Sequence, residues 1–407
     1  MAVTDLDVGP VSWRDWADDP YPLYRHLRDE RPVFYDEPND VYLVTRYEHV
    51  SALLADASHF ANRHRVVDGE RTLISPLRDA DPPEHTVLRR IIMPMFTPAE
   101  MRRLETYYRD VACALLDDAE QTDVVEVSSQ LAVPLPGRVT CDLLGLPLEL
   151  HDRFLDLTTQ RRVLAKISSA SAGDDGTARS ADDLRADMWE LVREVVAERR
   201  ARPQHDAISL LVAAQQHDGD EAEARLLVDM LLQLLTGGFH TTQHLVEMLL
   251  SLLADRHDLW ERLRENRDLV PAAIEEMLRY DAPVQAIPRR AVAGESIGGV
   301  MVPADAELML VLGAANRDER VFEDPDIYTL DRKGKRHMAF GAGIHYCPGA
   351  PVTRFEVRAL LDEMLDRYEC IERAGPSVRW PVISNTVTAM HGFEFVPVHL
   401  RAASARA

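Results

Sequence analysis

Two short stretches carry residue types that could do chemistry. The first, Thr236 to His244 ("TGGFHTTQH"), sets His240 and His244 four residues apart, with Glu247 three further on. On a helix those side chains share one face, as metal ligands often do. A zinc-protease helix, however, needs Glu directly after the first His, and Thr241 stands there. His244 and Glu247 are therefore expected as polar contacts to neighbouring helices. The second stretch, Phe340 to Gly349 ("FGAGIHYCPG"), places Cys347 in a loop that Gly341, Gly343 and Gly349 make permissive. A helix predicted immediately after the cysteine puts its sulfur near backbone N–H groups and a positive helix end, which favours thiolate. Such a thiolate suits a nucleophile, a redox thiol or an iron ligand. A buried structural cysteine is the plain alternative.

Both stretches need elements to position them. The stretch "RPVFYDEPNDVYLVTRY" reads as two strands around the Glu37–Asp40 turn, and "EHVSALLAD" as a short helix. From about 98 to 280, and again over 340–370, apolar residues recur three and four apart, which predicts long helices. Alternating apolar residues with Gly and Pro predict minor β regions over about 30–60, 285–315 and 375–400. Ser168 to Ser180 reads as a mobile loop. No repeat or Gly/Ser linker divides the 407 residues, so the expectation is one domain, 1–407, mainly α with a smaller β region. A net charge of -22 argues against nucleic acid or an anionic membrane as the main partner. No apolar run reaches membrane-spanning length, and the acidic N-terminus lacks the features of a signal peptide. Four scattered cysteines without a CxxC spacing fit reduced thiols in the cytoplasm.

The pattern Phe340-Gly341-x-Gly343-x-His345-x-Cys347-x-Gly349, with Arg354 beyond it, resembles the haem-ligand loop of the cytochrome P450 monooxygenases. Glu276 to Arg279 within "IEEMLRY" is similar to that family's E-x-x-R helix. Asp81 to Pro98 ("DPPEHTVLRRIIMPMFTP") is similar to the helix that covers the haem propionates in bacterial members. With "DPYPLYRHLRDERPV", "ANRD", "FEDPD" and "HMAFG" in family order, the resemblance runs from about residue 19 to 398.

The resemblance implies a single triangular-prism fold and haem b (iron protoporphyrin IX) with Cys347 as its metal ligand. A thiolate ligand pushes electron density onto iron and favours O–O cleavage. It assigns His85, Arg89, Arg289, His345 and, more weakly, His337 to the propionates, and Phe340 to the cofactor pocket. Glu276 and Arg279, with Arg332, become a buried structural ion network. The catalytic turn of the long distal helix falls on Gly238, His240 and Thr241, with the Thr241 hydroxyl bonding bound oxygen or the water that protonates it. Two glycines there cost roughly 1 kcal/mol each relative to alanine. Close backbone approach to the cofactor, with a local opening of the helix ladder, is the expected reason. Substrate contacts fall in 61–80, 160–175, Gln233 to Gly237, Val284 to Ile287 and Ala389 to His391. Within these, Gln233, Gly237, Gln285, Ile287, Met390 and His391 are the named candidates.

This chain departs from the family at His240, where most bacterial members carry an acid, and at Pro351-Val352-Thr353, where Leu-Ala usually precedes the Arg. Pro351 is tolerable in a first helical turn. Without a fused flavin or iron–sulfur motif, electrons are expected from NAD(P)H through ferredoxin and ferredoxin reductase. Arg89, Arg90, Arg102, Arg103, Lys333, Lys335, Arg354 and Arg358 are the basic residues expected to dock the ferredoxin. The leading expectation is a cytoplasmic, monomeric monooxygenase that uses O2 to hydroxylate a small organic substrate of bacterial secondary metabolism. The alternatives are oxidative radical coupling at the same haem, motivated by His240, and a haem-based sensor without turnover.

Overall fold

The computed structural model describes residues 19–62, 76–157, 181–214, 221–385 and 388–402. The Ser168–Ser180 loop and segment 160–175 lie outside the described residues. In chain order the helices are α1 (Tyr21–Glu30), α2 (Tyr47–Ala55), α3 (Pro76–Asp79), α4 (Glu84–Ile92), α5 (Pro98–Ala119) and α6 (Pro134–Leu144). They continue as α7 (Ala181–Ala201), α8 (Ala207–Ala213), α9 (Glu221–Asp255), α10 (His257–Glu265), α11 (Val270–Tyr280), α12 (Leu312–Ala315) and α13 (Ala350–Arg367). The chain is mainly α with a smaller β part, as its periodicity predicts. No helix among the described residues is long and apolar enough to cross a membrane.

The strands are β1 (Val33–Asp36), β2 (Val41–Val44), β3 (Phe60–Ala61), β4 (Val125–Glu126), β5 (Val284–Ala291), β6 (Glu295–Ile297), β7 (Val300–Val302), β8 (Glu307–Leu310), β9 (Tyr368–Arg373), β10 (Val378–Asn385), β11 (Thr388–Phe395) and β12 (Pro397–Ala402). They form a seven-stranded sheet in the order β1-β2-β8-β5-β11-β10 with β3 on β5, a three-stranded β4-β12-β9 sheet and the β6-β7 hairpin. The hairpin read around Glu37–Asp40 is present, with Val33 opposite Val44, and β2 runs parallel to β8. Strand β4 lies inside the stretch predicted as helical and pairs with β12, so a tertiary partner outweighs local pattern there.

Helix α9 is the axis of the molecule. Its 35 residues span about 52 Å, and from Leu227 to Leu253 most of its side chains are buried. It packs against α6, α7, α11, α13 and strands β9 and β11. One joint is polar. Glu247, fully buried, accepts from His244 Nδ1 at 2.8 Å, Gln243 Nε2 at 2.7 Å and the Phe393 N–H of β11 at 3.1 Å. Next to Phe393, a Cβ on Gly392 would collide with the His244 ring. The His244–Glu247 pair of the opening motif is thus a helix–strand joint. The contact is to a strand, where the sequence led us to expect helices.

Candidate active site

The loop before α13 is shaped by two glycines. Gly341 and Gly343 adopt φ of +67° and +68°, where a side chain is strained, and a Cβ on Gly343 would collide with the Leu54 backbone oxygen of α2. Gly349 sits at φ -77° and has no such need. The Cys347 N–H donates to the Phe340 carbonyl at 3.0 Å and closes the loop. Helix α13 begins at Ala350 with Pro351 in its first turn. Burial pushes the Cys347 thiol pKa up, against the opposing pull of the Gly349 and Ala350 N–H groups and of Arg89 and Arg354. The helix start alone therefore does not make a thiolate, as its position in the sequence suggests; a bound metal ion would invert that balance.

Cys347 lines a cavity with about 1540 Å³ of free space, its open mouth included. Phe340, His345, Arg289, Gly237, Gly238 and Thr241 line the same cavity. At its edge, His85 of α4 packs at a 45° tilt against His345, ring centres 4.0 Å apart, and the Nε2 of each is buried without a hydrogen-bond partner. Arg289, also buried, donates to its own Pro288 carbonyl at 2.7 Å and forms no ion pair among the described residues. Arg89 donates to the Tyr346 carbonyl at 2.6 Å. Burial lowers the pKa of all four groups: that of Arg289 falls to about 10, and that of His345, next to His85, Arg289 and Arg89, to about 3. Four cationic or donor groups converge; the charge of Asp81 acts on His85 and Arg289 but outweighs burial at neither, and none of the four is in an ion pair among the described residues, so the cluster can take further carboxylates. The residues therefore fit haem, with Cys347 for its iron and this cluster for its propionates.

His337 stands apart from that cluster. Its Nδ1 accepts from the Ala339 N–H at 3.2 Å, its Nε2 meets Glu275 at 3.1 Å, and it does not line the cavity. Glu275 also takes Arg354, whose guanidinium lies 4.7 Å over the Phe340 ring, and so braces the cysteine loop against α11. Glu276 accepts from Arg279 at 2.8 and 2.9 Å and from Arg332 Nε at 2.9 Å. Arg279 further donates to the carbonyls of Asn316, Pro325 and Ile327. These two buried groups tie α11 to the long irregular segment that leads to Cys347.

On α9 the two glycines serve different ends. A Cβ on Gly237 meets nothing within 4 Å, whereas one on Gly238 would sit 2.9 Å from Thr140 Oγ1 of α6. Gly237 leaves room in the cavity, and Gly238 lets two helices approach. The expected opening of the ladder is not present: α9 is continuous α-helix, and Thr241 Oγ1 donates to the Gly237 carbonyl at 2.9 Å. His240 lies with its ring 4.6 Å from that of buried Phe239 and is not part of the cavity lining. His240, His244 and Glu247 do not converge as a metal set; the described residues hold one such group, elsewhere.

Among the substrate candidates, Gln233, Gly237 and Ile287 line the cavity, while Gln285, Met390 and His391 do not. Gln233 is engaged, accepting from the Leu77 N–H at 2.8 Å. Gln285 is fully buried and donates to the Ala282 carbonyl, and His391 is locked on Asp281 at 2.8 Å. Residues 63–75 lie outside the described residues; on either side of them, Asn62, Leu77 and the Arg78–Asp79 ion pair line the cavity. Sequence reasoning missed Glu356 of α13. It is buried in the lining, its Oε2 has no partner, and burial pushes its pKa up to about 8 against a hydrogen bond with Thr242. Thr242 in turn lies 3.1 Å from Thr353, oxygen to oxygen. The signal was available: Glu356 interrupts the apolar stripe Val352, Glu356, Leu360.

A helix-rich fold that brings a cysteine loop and a cluster of cationic and donor groups to one cavity defines a haem–thiolate oxidoreductase. The model of the family described as Cytochrome P450 matches residues 174–381. Cytochrome P450 109 of Bacillus spizizenii (strain ATCC 23059 / NRRL B-14472 / W23) is 34% identical over 94% of this chain and 92% of its own. Nocardicin C N-oxygenase of Nocardia uniformis subsp. tsuyamanensis is 35% identical over 89% and 92%. The crystal structure of CYP109E1 from Bacillus megaterium with testosterone superposes with a TM-score of 0.82 at 28% identity, covering 95% of this chain and 99% of that one. The chain belongs to the cytochrome P450 family and is a haem-dependent monooxygenase.

Proposed function

We propose that this chain hydroxylates a small, largely apolar natural product, with Cys347 as the protein ligand of its haem. The observation that carries this reading is the convergence of Cys347, Thr241, Arg289 and His345 on one cavity. Thiolate-ligated haem supplies O2 activation. His85, Arg89, Arg289 and His345 hold the propionates, and Phe340 walls the pocket beside them. Thr241 exchanges its bond to the Gly237 carbonyl for one to a water in the cavity and so positions a proton. Glu356, neutral near pH 7, holds a proton at the far end of the Thr242–Thr353 pair. His240 takes the place of the usual acid, since an imidazole also passes protons near neutrality. Oxidative coupling is the second reading, and His240 is its motive.

The natural-product assignment draws on the relative named for nocardicin C N-oxygenation. The largely apolar lining, relieved by Gln233, Asn62 and the Arg78–Asp79 pair, suits a mainly apolar substrate with a few hydrogen-bonding groups. Electrons come from NAD(P)H through a ferredoxin and its reductase, docked on exposed Arg90, Arg102, Lys333 and Lys335, with Arg336 stacked on Tyr346 beside the cysteine. Arg103 and Arg358 are paired with Glu100 and Asp362, which leaves them a smaller part. The chain acts as a monomeric, single-domain cytoplasmic enzyme, in keeping with its four free cysteines. With carbon monoxide the reduced protein should give the Soret band of a thiolate-ligated haem, and Cys347→Ala should abolish it. A histidine-type band in the wild type would overturn the assignment. Product analysis with ferredoxin, reductase and O2 separates hydroxylation from coupling.

A further inference from the structure

Away from the cavity, three side chains of different chemistry converge on the three-stranded sheet. Cys370 and Glu372 are two apart on β9 and so project from the same face. His257 opens α10, and the ligand atoms of all three lie within 4.8 Å of one another. None of them lines the cavity. The two elements are held in fixed relation. Trp260 of α10, fully buried, donates its indole N–H to the Glu369 carbonyl of β9 at 2.9 Å, and Arg264 reaches the same carbonyl at 3.4 Å. On the other side β12 clamps β9, with Arg401 opposite Cys370 and His399 opposite Glu372.

We propose that His257, Cys370 and Glu372 form a zinc-binding site that staples α10 to β9. One thiolate, one imidazole and one carboxylate are the donors a tetrahedral Zn²⁺ accepts, with the fourth position left to water. The thiolate disfavours Mg²⁺ and Ca²⁺, which take oxygen ligands. Arg401 Nε lies 3.1 Å from Glu372 Oε2 and leaves the second carboxylate oxygen for the metal. His257 is exposed and the other two are half-buried, so the site is open to metal from solution.

The test uses the haem-loaded full chain, equilibrated with zinc chloride and dialysed, with zinc and iron counted separately by atomic emission. The wild type should keep about one zinc per chain, held by three protein ligands. Cys370→Ser and His257→Gln should each weaken binding by more than the roughly 10- to 100-fold typical of losing a supporting residue. Cobalt(II) in place of zinc should give a thiolate-to-metal absorption that Cys370→Ser removes. The iron count and the metal-free unfolding midpoint should stay unchanged in both variants, which separates lost binding from misfolding. Zinc should raise the unfolding midpoint of the wild type alone. No retained zinc in the wild type, or equal retention by Cys370→Ser, would overturn the proposal. The zinc count and the cobalt absorption do not depend on the haem assignment.

Discussion

Replacing Glu356 with glutamine should make the enzyme more stable, by an amount that grows with pH. The carboxyl is fully buried between α9 and α13, and burial raises its pKa from 4.5 to about 8. In the unfolded chain it loses its proton near pH 4.5; in the folded protein it keeps it until about pH 8. Between those values the folded state binds more protons than the unfolded one, so wild-type stability falls as pH rises, and it levels off above about pH 8. At about 1.4 kcal/mol per pKa unit, the loss between pH 5 and pH 7 is about 2 to 3 kcal/mol. Glutamine keeps the shape and the hydrogen bond with Thr242 but does not titrate. Urea unfolding of both haem-loaded proteins from about pH 5 to 8 should therefore show midpoints that diverge as pH rises, with the variant higher. Parallel midpoints across that range would refute the claim that Glu356 is buried as a neutral acid.

Four further outcomes follow from the same geometry. Glu276→Ala leaves Arg279 and Arg332 without their shared carboxylate and should cost about 3 to 5 kcal/mol, read as lost haem retention and a lowered unfolding midpoint. Gly238→Ala should cost about 1 to 3 kcal/mol by crowding Thr140, and Thr140→Ala should restore most of it. Gly237→Ala should instead gain up to about 1 kcal/mol while altering substrate-induced haem spectral shifts. His240→Ala should lower product formed per NAD(P)H with substrate binding nearly unchanged; full coupling in that variant would remove His240 from proton delivery.

The sequence reading succeeded where a local pattern carries its own partner. Glu276 and Arg279 are one helical turn apart and pair as spacing three allows. The Cys347 loop announces itself through Gly341 and Gly343, both of which adopt positive φ. It failed where the partner is distant in sequence. His337 looks like any pocket histidine until Glu275, on α11, takes its Nε2. Gln285 and His391 sit on strands buried on both faces, so alternation could not tell which face meets the cavity. Gly238 was read as a cofactor clearance, and the residue it clears is Thr140, almost 100 positions earlier. Glu356 was legible in principle, as a carboxylate on an apolar stripe, but only the packing of α9 on α13 shows that its Oε2 is left without a partner.

The keyed joint between His244, Glu247 and the Gly392–Phe393 backbone also sets the mechanical character of the pocket. Because a buried carboxylate grips the strand backbone, and the histidine ring fills the space a Cβ would need, β11 and the middle of α9 translate as one block. The α9 wall of the pocket, backed by that strand, therefore offers a bulky guest little slack. A weaker seam lies where Gln233 holds the Leu77 N–H by one hydrogen bond, a link worth only about 1 kcal/mol. A guest with its own N–H donor can take that bond over from Leu77, so the tolerance of the pocket for large molecules is tuned by a single amide.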